Sequence, residues 1–219
     1  VLLAPTGRAA KVISGYSGKQ AFTIHRKIYR PAGVEEGFVS LQGNSHIDTV
    51  FIVDEASMIG EGNSDKSQFT NSLLEDLFTY VNQGENCRLL LVGDTAQLPP
   101  VGLSYSPALD PAYLKKLFRV PVGMMELTEV LRQELDSGVL FNATKLRLAI
   151  AEGSLQFPGF ELGDYGDIIR IGGAELLDAL EDAYRANGAD DTIIICRSNK
   201  RANIYNQQIR ARIRWQEDE

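Results

Sequence analysis

The segments FIVDEASM at 51–58 and LLLVGDTAQLPPVG at 89–102 decide the fold of this 219-residue chain. Each segment is a short apolar run that ends abruptly in polar residues, which is typical of a strand covered on both faces of a parallel sheet. In open α/β sheets, ligands bind outside the carboxyl ends of such strands. The two segments therefore predict a site that contains Asp54, Glu55, Asp94 and Gln97.

The rest of the chain repeats the alternation of short β-rich runs with amphipathic segments of helical length. This alternation predicts an α/β fold, with a parallel sheet and helices on both of its faces. Strands are expected at Val1–Ala4, Val50–Asp54, Arg88–Val92, Met124–Thr128, Asp167–Ile171 and Thr192–Cys196. Helices are expected at Gln68–Gln83, Leu140–Ile150, Ala174–Arg185 and Ser198–Ile213.

Loops and a domain boundary are predicted from turn-forming residues. The stretches 31–45 and 61–67 predict loops. Gly37–Gln42, within the first stretch, suits half of a small hairpin. Because the chain becomes turn-rich between residues 129 and 165, we expect a first domain over 1–135, with a hairpin insertion at 31–45, and a second domain over 136–219.

Composition and charge narrow the class of protein. A content of 44% hydrophobic and 23% charged residues predicts an ordered globular chain. No apolar run is long enough to span a membrane and no secretory signal is seen, so a cytoplasmic protein without a membrane partner is expected. Cys87 and Cys196 suit buried thiols better than a disulfide or a zinc site. The net charge of -7 argues against binding nucleic acid by bulk electrostatics, although it leaves room for a narrow basic track such as Arg26–Arg30.

Asp54 and Glu55 form a Walker B arrangement at the end of an apolar strand. An aspartate in this position is able to hold the Mg²⁺ that bridges nucleotide phosphates, and the adjacent glutamate is able to orient or deprotonate the attacking water. Two solvated acids at the end of a strand are an equally good reading of this pair alone.

The second segment, LLLVGDTAQLPPVG, favours the Walker B interpretation over two solvated acids. Asp94 follows Gly93 at the strand end, Gln97 offers a neutral amide to a phosphate or water, and Pro99 and Pro100 fix two φ angles at the exit. Such a loop suits a sensor of nucleotide state. Glycine, aspartate and proline are also ordinary turn residues, but GDTAQLPPVG is more specific than a generic turn.

Six segments together resemble the RecD-like and Dda-like branch of superfamily 1 DNA helicases. APTGRAA at 4–10 is similar to motif Ia, TIHR at 23–26 to a DNA-contacting motif, VDEASM at 53–58 to motif II, GDTAQLPPVG at 93–102 to motif III and LTEVLRQ at 127–133 to motif IV. IICRSNKRANIYNQQIR at 194–210 resembles the opening of the second motor domain. The resemblance implies a RecA-like P-loop NTPase motor fold and the start of a second such domain.

The resemblance also implies ATP and Mg²⁺ as cofactors and gives residues roles in their chemistry. Asp54 becomes the Mg²⁺-associated acid, Glu55 the catalytic base and Gln97 the γ-phosphate sensor, with Asp94 beside the nucleotide. Arg132 becomes an arginine finger, whose planar fork of donors and permanent charge suit a transferring phosphoryl group. Without its motif, Arg132 would more simply be read as a surface salt bridge.

Single-stranded DNA and duplex junctions are the partners that the resemblance implies. Pro5, Thr6, Thr23 and His25 become DNA contacts, because hydroxyls, an imidazole and helix amides bind backbone oxygens without reading sequence. Thr6 also suits an ordinary helix N-cap, and His25 a buried histidine. Phe38 is a candidate wedge or base-stacking side chain, and a core position explains it equally well.

The chain contains no G-x-x-x-x-G-K-[ST] sequence, which a motor of this kind needs to hold nucleotide phosphates. Ser17-Gly18-Lys19-Gln20 is the nearest match, but Gln20 replaces the required hydroxyl. No match to the later helicase motifs is found either. We therefore expect an internal fragment that is inactive alone.

The intact protein is then expected to couple ATP hydrolysis to 5′–3′ movement on single-stranded DNA and to unwinding, in repair or recombination and with protein partners from those processes. A degenerate module that binds DNA or a partner without catalysis is the main alternative. A two-metal nuclease that uses Asp54, Glu55 and Asp94 is a third reading, in which Gln97 and the diproline have no part.

Overall fold

A parallel sheet of four strands organises the first half of the chain, in the order Ala21–Thr23, Leu2–Ala4, Val50–Val53 and Arg88–Leu91. The computed structural model describes residues 1–31, 39–60, 72–127, 137–154 and 157–212. These residues belong to two compact units, Val1–Glu129 and Val130–Glu219. The parallel α/β fold predicted from sequence is confirmed for the first unit.

The first unit contains six strands and four α-helices within its described residues. In chain order they are β1 Leu2–Ala4, α1 Gly7–Ser17, β2 Ala21–Thr23, α2 Ile24–Ile28, β3 Tyr29–Pro31, β4 Val39–Leu41, β5 Val50–Val53, α3 Leu73–Gln83, β6 Arg88–Leu91 and α4 Pro111–Phe118. Two 3-10 turns, Ala56–Met58 and Pro107–Leu109, lie between them.

Helices cover both faces of this sheet. The connection β1-α1-β2 moves one way across the strand order, whereas β5-α3-β6 moves the opposite way. Because parallel crossovers are right-handed, α1 and α3 must lie on opposite faces. The α3 face holds the core, where Phe51 of β5 meets Tyr80 of α3 edge-to-face at 5.8 Å between ring centroids.

Local capping explains where the helices begin. The Ser72 hydroxyl accepts a hydrogen bond from the Glu75 amide at 3.2 Å, and the Glu75 carboxylate accepts one from the Ser72 amide at 2.8 Å. This capping box starts α3 at Leu73, later than the predicted start at Gln68, and residues 68–71 lie outside the described part. The Asp110 carboxylate caps α4 by accepting the Ala112 amide at 2.8 Å and the Tyr113 amide at 3.2 Å, with Pro111 at the first helical position, a signal that the sequence prediction overlooked.

The hairpin expected near Gly37–Gln42 is present. Strand β4 pairs antiparallel with β3, with Arg30 opposite Ser40. The strand Val39–Leu41 interrupts the stretch 31–45, which is otherwise predicted as a loop, at the position predicted for the hairpin. The hairpin tip at 32–38, with Phe38, and the predicted loop at 61–67 lie outside the described residues.

The described part of the second unit consists of helices: α5 Gly138–Ala151, α6 Leu176–Asn187 and α7 Asn199–Arg212. The strands predicted at Asp167–Ile171 and Thr192–Cys196 are wrong. Asp167 instead uses its carboxylate to accept hydrogen bonds from the Ser137 hydroxyl at 2.5 Å and the Gly138 amide at 2.8 Å, which caps α5. Ile193 and Ile195 are 63% and 89% exposed, so no neighbouring strand covers them.

The strand predicted at Met124–Thr128 is also wrong over residues 124–127, which form no strand, and Thr128 lies outside the described part. Met125 and Leu127 are 85% and 86% exposed, so this apolar run has no buried face that would hold it in a sheet.

Cys87 and Cys196 are free, half-buried thiols. In the residues that the structure describes, no helix has both the length and the apolar character needed to cross a membrane.

Candidate functional site

The candidate site residues of the first unit gather along one edge of the sheet. The register places Ala4 level with Thr23, Leu3 level with Val53, and Val53 level with Leu91. All four strands are parallel, so their carboxyl ends share that edge. Since neighbouring strands are about 4.8 Å apart, the β2 and β5 ends are separated by about 10 Å. Pro5, Thr6, Thr23, Asp54 and Asp94 therefore lie along one continuous rim.

Asp54 and Glu55 leave β5 through a tight turn. The Asp54 amide donates to the Leu3 carbonyl at 3.0 Å, which extends the sheet by one residue. The Asp54 carboxylate accepts the Glu55 amide through one oxygen at 3.0 Å, and within the described residues its second oxygen accepts no hydrogen bond. That oxygen is available to a cation at the strand end. Both side chains are half-buried.

Glu55 has a left-handed backbone, with φ of 55° and ψ of 36°. This conformation is unfavourable for a residue with a long side chain, and such strain often occurs where function fixes a side-chain direction. The 3-10 turn Ala56–Met58 follows at once, with the Met58 amide donating to the Glu55 carbonyl at 3.1 Å. The turn reverses the chain directly beyond the two carboxylates.

The loop after β6 is hydrogen-bonded to this turn. The Ala56 amide donates to the Val92 carbonyl at 2.9 Å, and the Val92 amide donates to the Val53 carbonyl at 2.8 Å. A Cβ atom on Gly93 would lie 2.9 Å from the Ser57 amide nitrogen. A side chain at position 93 would therefore push the two loops apart. Sequence reasoning missed this close approach, although the glycine at the strand end was visible.

Asp94 organises the loop that carries Gln97. Its carboxylate accepts the Ala96 amide at 2.9 Å, and its carbonyl accepts the Gln97 amide at 3.2 Å. The Gln97 side chain is exposed. The loop thus presents an uncharged, exposed amide on a backbone turn that Asp94 stabilises, in the loop that follows β6.

Ser57 is a site residue to which sequence reasoning gave no role. Its side chain is fully buried, and its hydroxyl has no hydrogen-bond partner among the described residues. An unpaired buried hydroxyl costs about 1–3 kcal/mol. This free-energy cost destabilises the turn Ala56–Met58, which follows Asp54 and Glu55 and contacts the loop at Gly93.

Thr6 and Thr23 cap the two helices that start at this rim. The Thr6 hydroxyl accepts the Ala9 amide at 3.2 Å, and the Thr23 hydroxyl accepts the Arg26 amide at 3.2 Å. The N-cap alternative for Thr6 is thus observed, and each hydroxyl hydrogen can still be donated to a phosphate.

His25 is exposed rather than buried, and its ring lies 5.7 Å from that of Tyr29. Partial desolvation lowers the pKa of His25 below the ordinary histidine value, which favours the neutral ring. The remaining candidates, Phe38 and Arg132, lie outside the described residues.

Comparison with known proteins agrees with this geometry. The family model described as an AAA domain matches residues 1–157. The chain belongs to this AAA domain family. An ATP-dependent RecD2 DNA helicase from Deinococcus radiodurans is 37% identical over 105 residues, which cover 46% of this chain and 12% of that helicase. The resemblance to RecD-like helicases seen in the motifs is confirmed, and the chain matches a small part of that curated relative.

Proposed function

We propose that this chain forms part of an ATP-driven DNA motor that moves along single-stranded DNA and unwinds duplex. The observation that carries the proposal is the junction of the β5 and β6 ends. There the Ala56–Val92 hydrogen bond and the Gly93–Ser57 contact fix the Asp54–Glu55 turn against the loop that presents Gln97. The turn that carries Asp54 and Glu55 and the loop that carries Gln97 are thus joined to each other at the ends of β5 and β6.

The side chains at the ends of β5 and β6 offer ligands that suit ATP bound with Mg²⁺. Mg²⁺ commonly binds one or two protein carboxylates and takes its other ligands from phosphates and water. Among the described residues, no group of three or more potential metal ligands occurs, so the proposed ion rests on Asp54. Bound ATP with Mg²⁺ would supply the phosphoryl group that water attacks.

In this proposal each side chain has a separate task. Glu55, next to Asp54, orients and deprotonates the attacking water, while the exposed Gln97 amide senses the terminal phosphate. Arg132, which lies outside the described residues, is proposed as a permanently charged donor to the transferring phosphoryl group. Pro5, Thr6, Thr23, His25 and Phe38 contact DNA.

The decisive test of catalysis is Glu55→Gln in a full-length protein that contains this chain. We expect ATP turnover to fall by at least about 100-fold, the usual contribution of a general base, while nucleotide binding persists. Steady-state ATPase rates and equilibrium binding of a fluorescent ATP analogue measure the two effects. Glu85→Gln, on an exposed carboxylate of the same unit, is the control and should leave both unchanged.

Normal turnover in the Glu55 variant would remove Glu55 from the role of base. Failure of the full-length wild-type protein to hydrolyse ATP, with DNA binding intact, would favour the non-catalytic module. The 219-residue chain alone should show no DNA-stimulated ATPase activity, because it contains no G-x-x-x-x-G-K-[ST] sequence.

A further inference from the structure

His25, a proposed DNA contact at the rim, lies on a very short helix. Helix α2 spans the five residues Ile24–Ile28, and isolated helices shorter than about 12 residues are marginal in water. Ile24 and Ile28 are fully buried and hold the inner side of α2 against the core. The imidazole of His25 lies on the exposed side, so these two core contacts do not fix its direction.

Tyr29 contacts His25 through both its backbone and its side chain. The Tyr29 amide donates to the His25 carbonyl and closes the last turn of α2. The two residues are four positions apart, a spacing that brings side chains together on one helix face. Their ring centroids are 5.7 Å apart, with 43° between the ring planes. The Tyr29 ring therefore packs against the imidazole and restricts the directions that it can take.

A carboxylate of α3 holds Tyr29 in turn. The Tyr29 hydroxyl donates to an Asp76 carboxylate oxygen at 2.7 Å, and Asp76 is buried, with 8% of its surface exposed. Burial and the hydrogen bond to Asp76 raise the pKa of Tyr29 well above the ordinary tyrosine value. The hydroxyl thus keeps its proton and remains a donor, so Asp76 fixes the outer end of the tyrosine ring.

The hydrogen bond between Tyr29 and Asp76 suits a positioning role better than a purely stabilising one. A buried hydrogen bond adds little net stability, because both groups give up hydrogen bonds to water, and two apolar residues of similar shape would serve about as well. An apolar contact tolerates small shifts of a ring, whereas a hydrogen bond requires a defined distance and angle. The polar pair therefore gives the ring a defined position.

We propose that Tyr29, held by Asp76, is a positioning residue that fixes the imidazole of His25 for a hydrogen bond to the backbone of single-stranded DNA. The inference rests on the proposed DNA-binding function. It adds two residues that lie outside the helicase-like motifs at 4–10 and 23–26. Tyr29 and Asp76 act through His25 and make no DNA contact of their own.

The first test is a double-mutant cycle on oligothymidine binding by the full chain, measured by fluorescence anisotropy. His25→Ala removes the contact and should weaken binding by about tenfold, the worth of one hydrogen bond to a charged group. Tyr29→Phe keeps the ring, removes its bond to Asp76 and should weaken binding by about three- to tenfold. The double variant should bind like His25→Ala, because Tyr29 acts through His25. Tyr113→Phe, the same change on α4, is the control and should bind like wild type.

Nuclear magnetic resonance gives a readout that needs no DNA. The sequence contains two histidines, His25 and His46, so few ring signals need to be assigned. Tyr29→Phe should shift the ring-proton signals of His25, because the neighbouring aromatic ring moves, and should leave those of His46 unchanged. The His46 ring packs edge-to-face on Phe51 of the core at 5.3 Å, so its unchanged signals also report that the first unit stays folded.

The outcomes separate the positioning role from DNA binding itself. Wild-type affinity of Tyr29→Phe, unchanged His25 signals, or a double variant that binds more weakly than His25→Ala would each overturn the positioning role and leave the proposed DNA binding intact. Shifts at both histidines would mean that the hydrogen bond supports the whole unit, and would overturn the positioning role as well. A wild-type chain that binds no oligothymidine would overturn the DNA contact of His25 and this inference with it.

Discussion

At the scale of single residues, the left-handed backbone of Glu55 makes a prediction about stability that is separate from catalysis. At φ of 55° a Cβ atom crowds the following carbonyl, which costs about 1–2 kcal/mol, and glycine avoids this cost. Glu55→Gly should therefore be more stable than Glu55→Ala by about 1 kcal/mol. Urea denaturation of the two variants measures the difference.

At an ordinary helical position, the alanine variant should instead be more stable than the glycine variant. Asn82, exposed in the last turn of α3, is the matched site, where Ala should exceed Gly by about 0.5–1 kcal/mol. If alanine were the better residue at both positions, the left-handed conformation at Glu55 would not hold in solution.

Residue identities at the site were predictable because they follow short apolar runs. Asp54, Glu55, Asp94 and Gln97 all lie where the alternation placed them. The backbone of Glu55, the buried hydroxyl of Ser57 and the tight contact at Gly93 were not predictable, because each depends on how the loop after β6 packs against the turn after β5. Such contacts join residues about 35 positions apart, which periodicity does not relate.

At the scale of elements, the strand predictions succeeded or failed according to the hydrogen bonds that each segment forms. Val50–Val53 and Arg88–Leu91, each one residue shorter than predicted, form strands because they pair with each other in parallel register. Asp167–Ile171 contains three isoleucines, but its first residue is a carboxylate that accepts hydrogen bonds from Ser137 and Gly138 at the N-terminus of α5. A side-chain cap formed across 29 residues leaves no periodic signal, so sequence reasoning read the segment as a strand.

The Asp167 cap predicts a pH dependence of stability. The hydrogen bond from the Ser137 hydroxyl, aided by the Gly138 and Val139 amides, holds the pKa of Asp167 below its usual value. A carboxylate with a lowered pKa stabilises the fold above its unfolded pKa of about 3.9, and that stabilisation is lost as the pH falls through the folded pKa. Urea midpoints of wild type and Asp167→Asn should therefore differ at pH 7 and converge as the pH falls below the folded pKa of Asp167. Asp164→Asn, an exposed change in the same segment, serves as control, and a constant difference for Asp167→Asn across this range would contradict the cap.

At the scale of the whole molecule, the two units are built with different amounts of core. Every buried apolar side chain in the described part belongs to the first unit, where Phe51, Leu77 and Tyr80 pack between the sheet and α3. In the described residues of the second unit, only Gly138 and Asn142 are buried. Sequence reasoning expected residues 136–219 to be a linker helix and the beginning of a second RecA-like domain, because hydrophobic content does not reveal which apolar residues find a partner.

This asymmetry predicts where the molecule opens first. Burial of apolar area stabilises by about 25 cal/mol per Å², and local opening is easiest where such burial is least. Amides of β5 and β6 should therefore exchange with deuterium far more slowly than those of α6 and α7, whose ends and outer faces are solvated. Hydrogen exchange of the full chain, read by mass spectrometry on peptides covering 50–53, 88–91, 176–187 and 199–212, measures the contrast. Equal protection of the two helices and the two strands would mean that the second unit has apolar burial in solution that matches the core around Phe51.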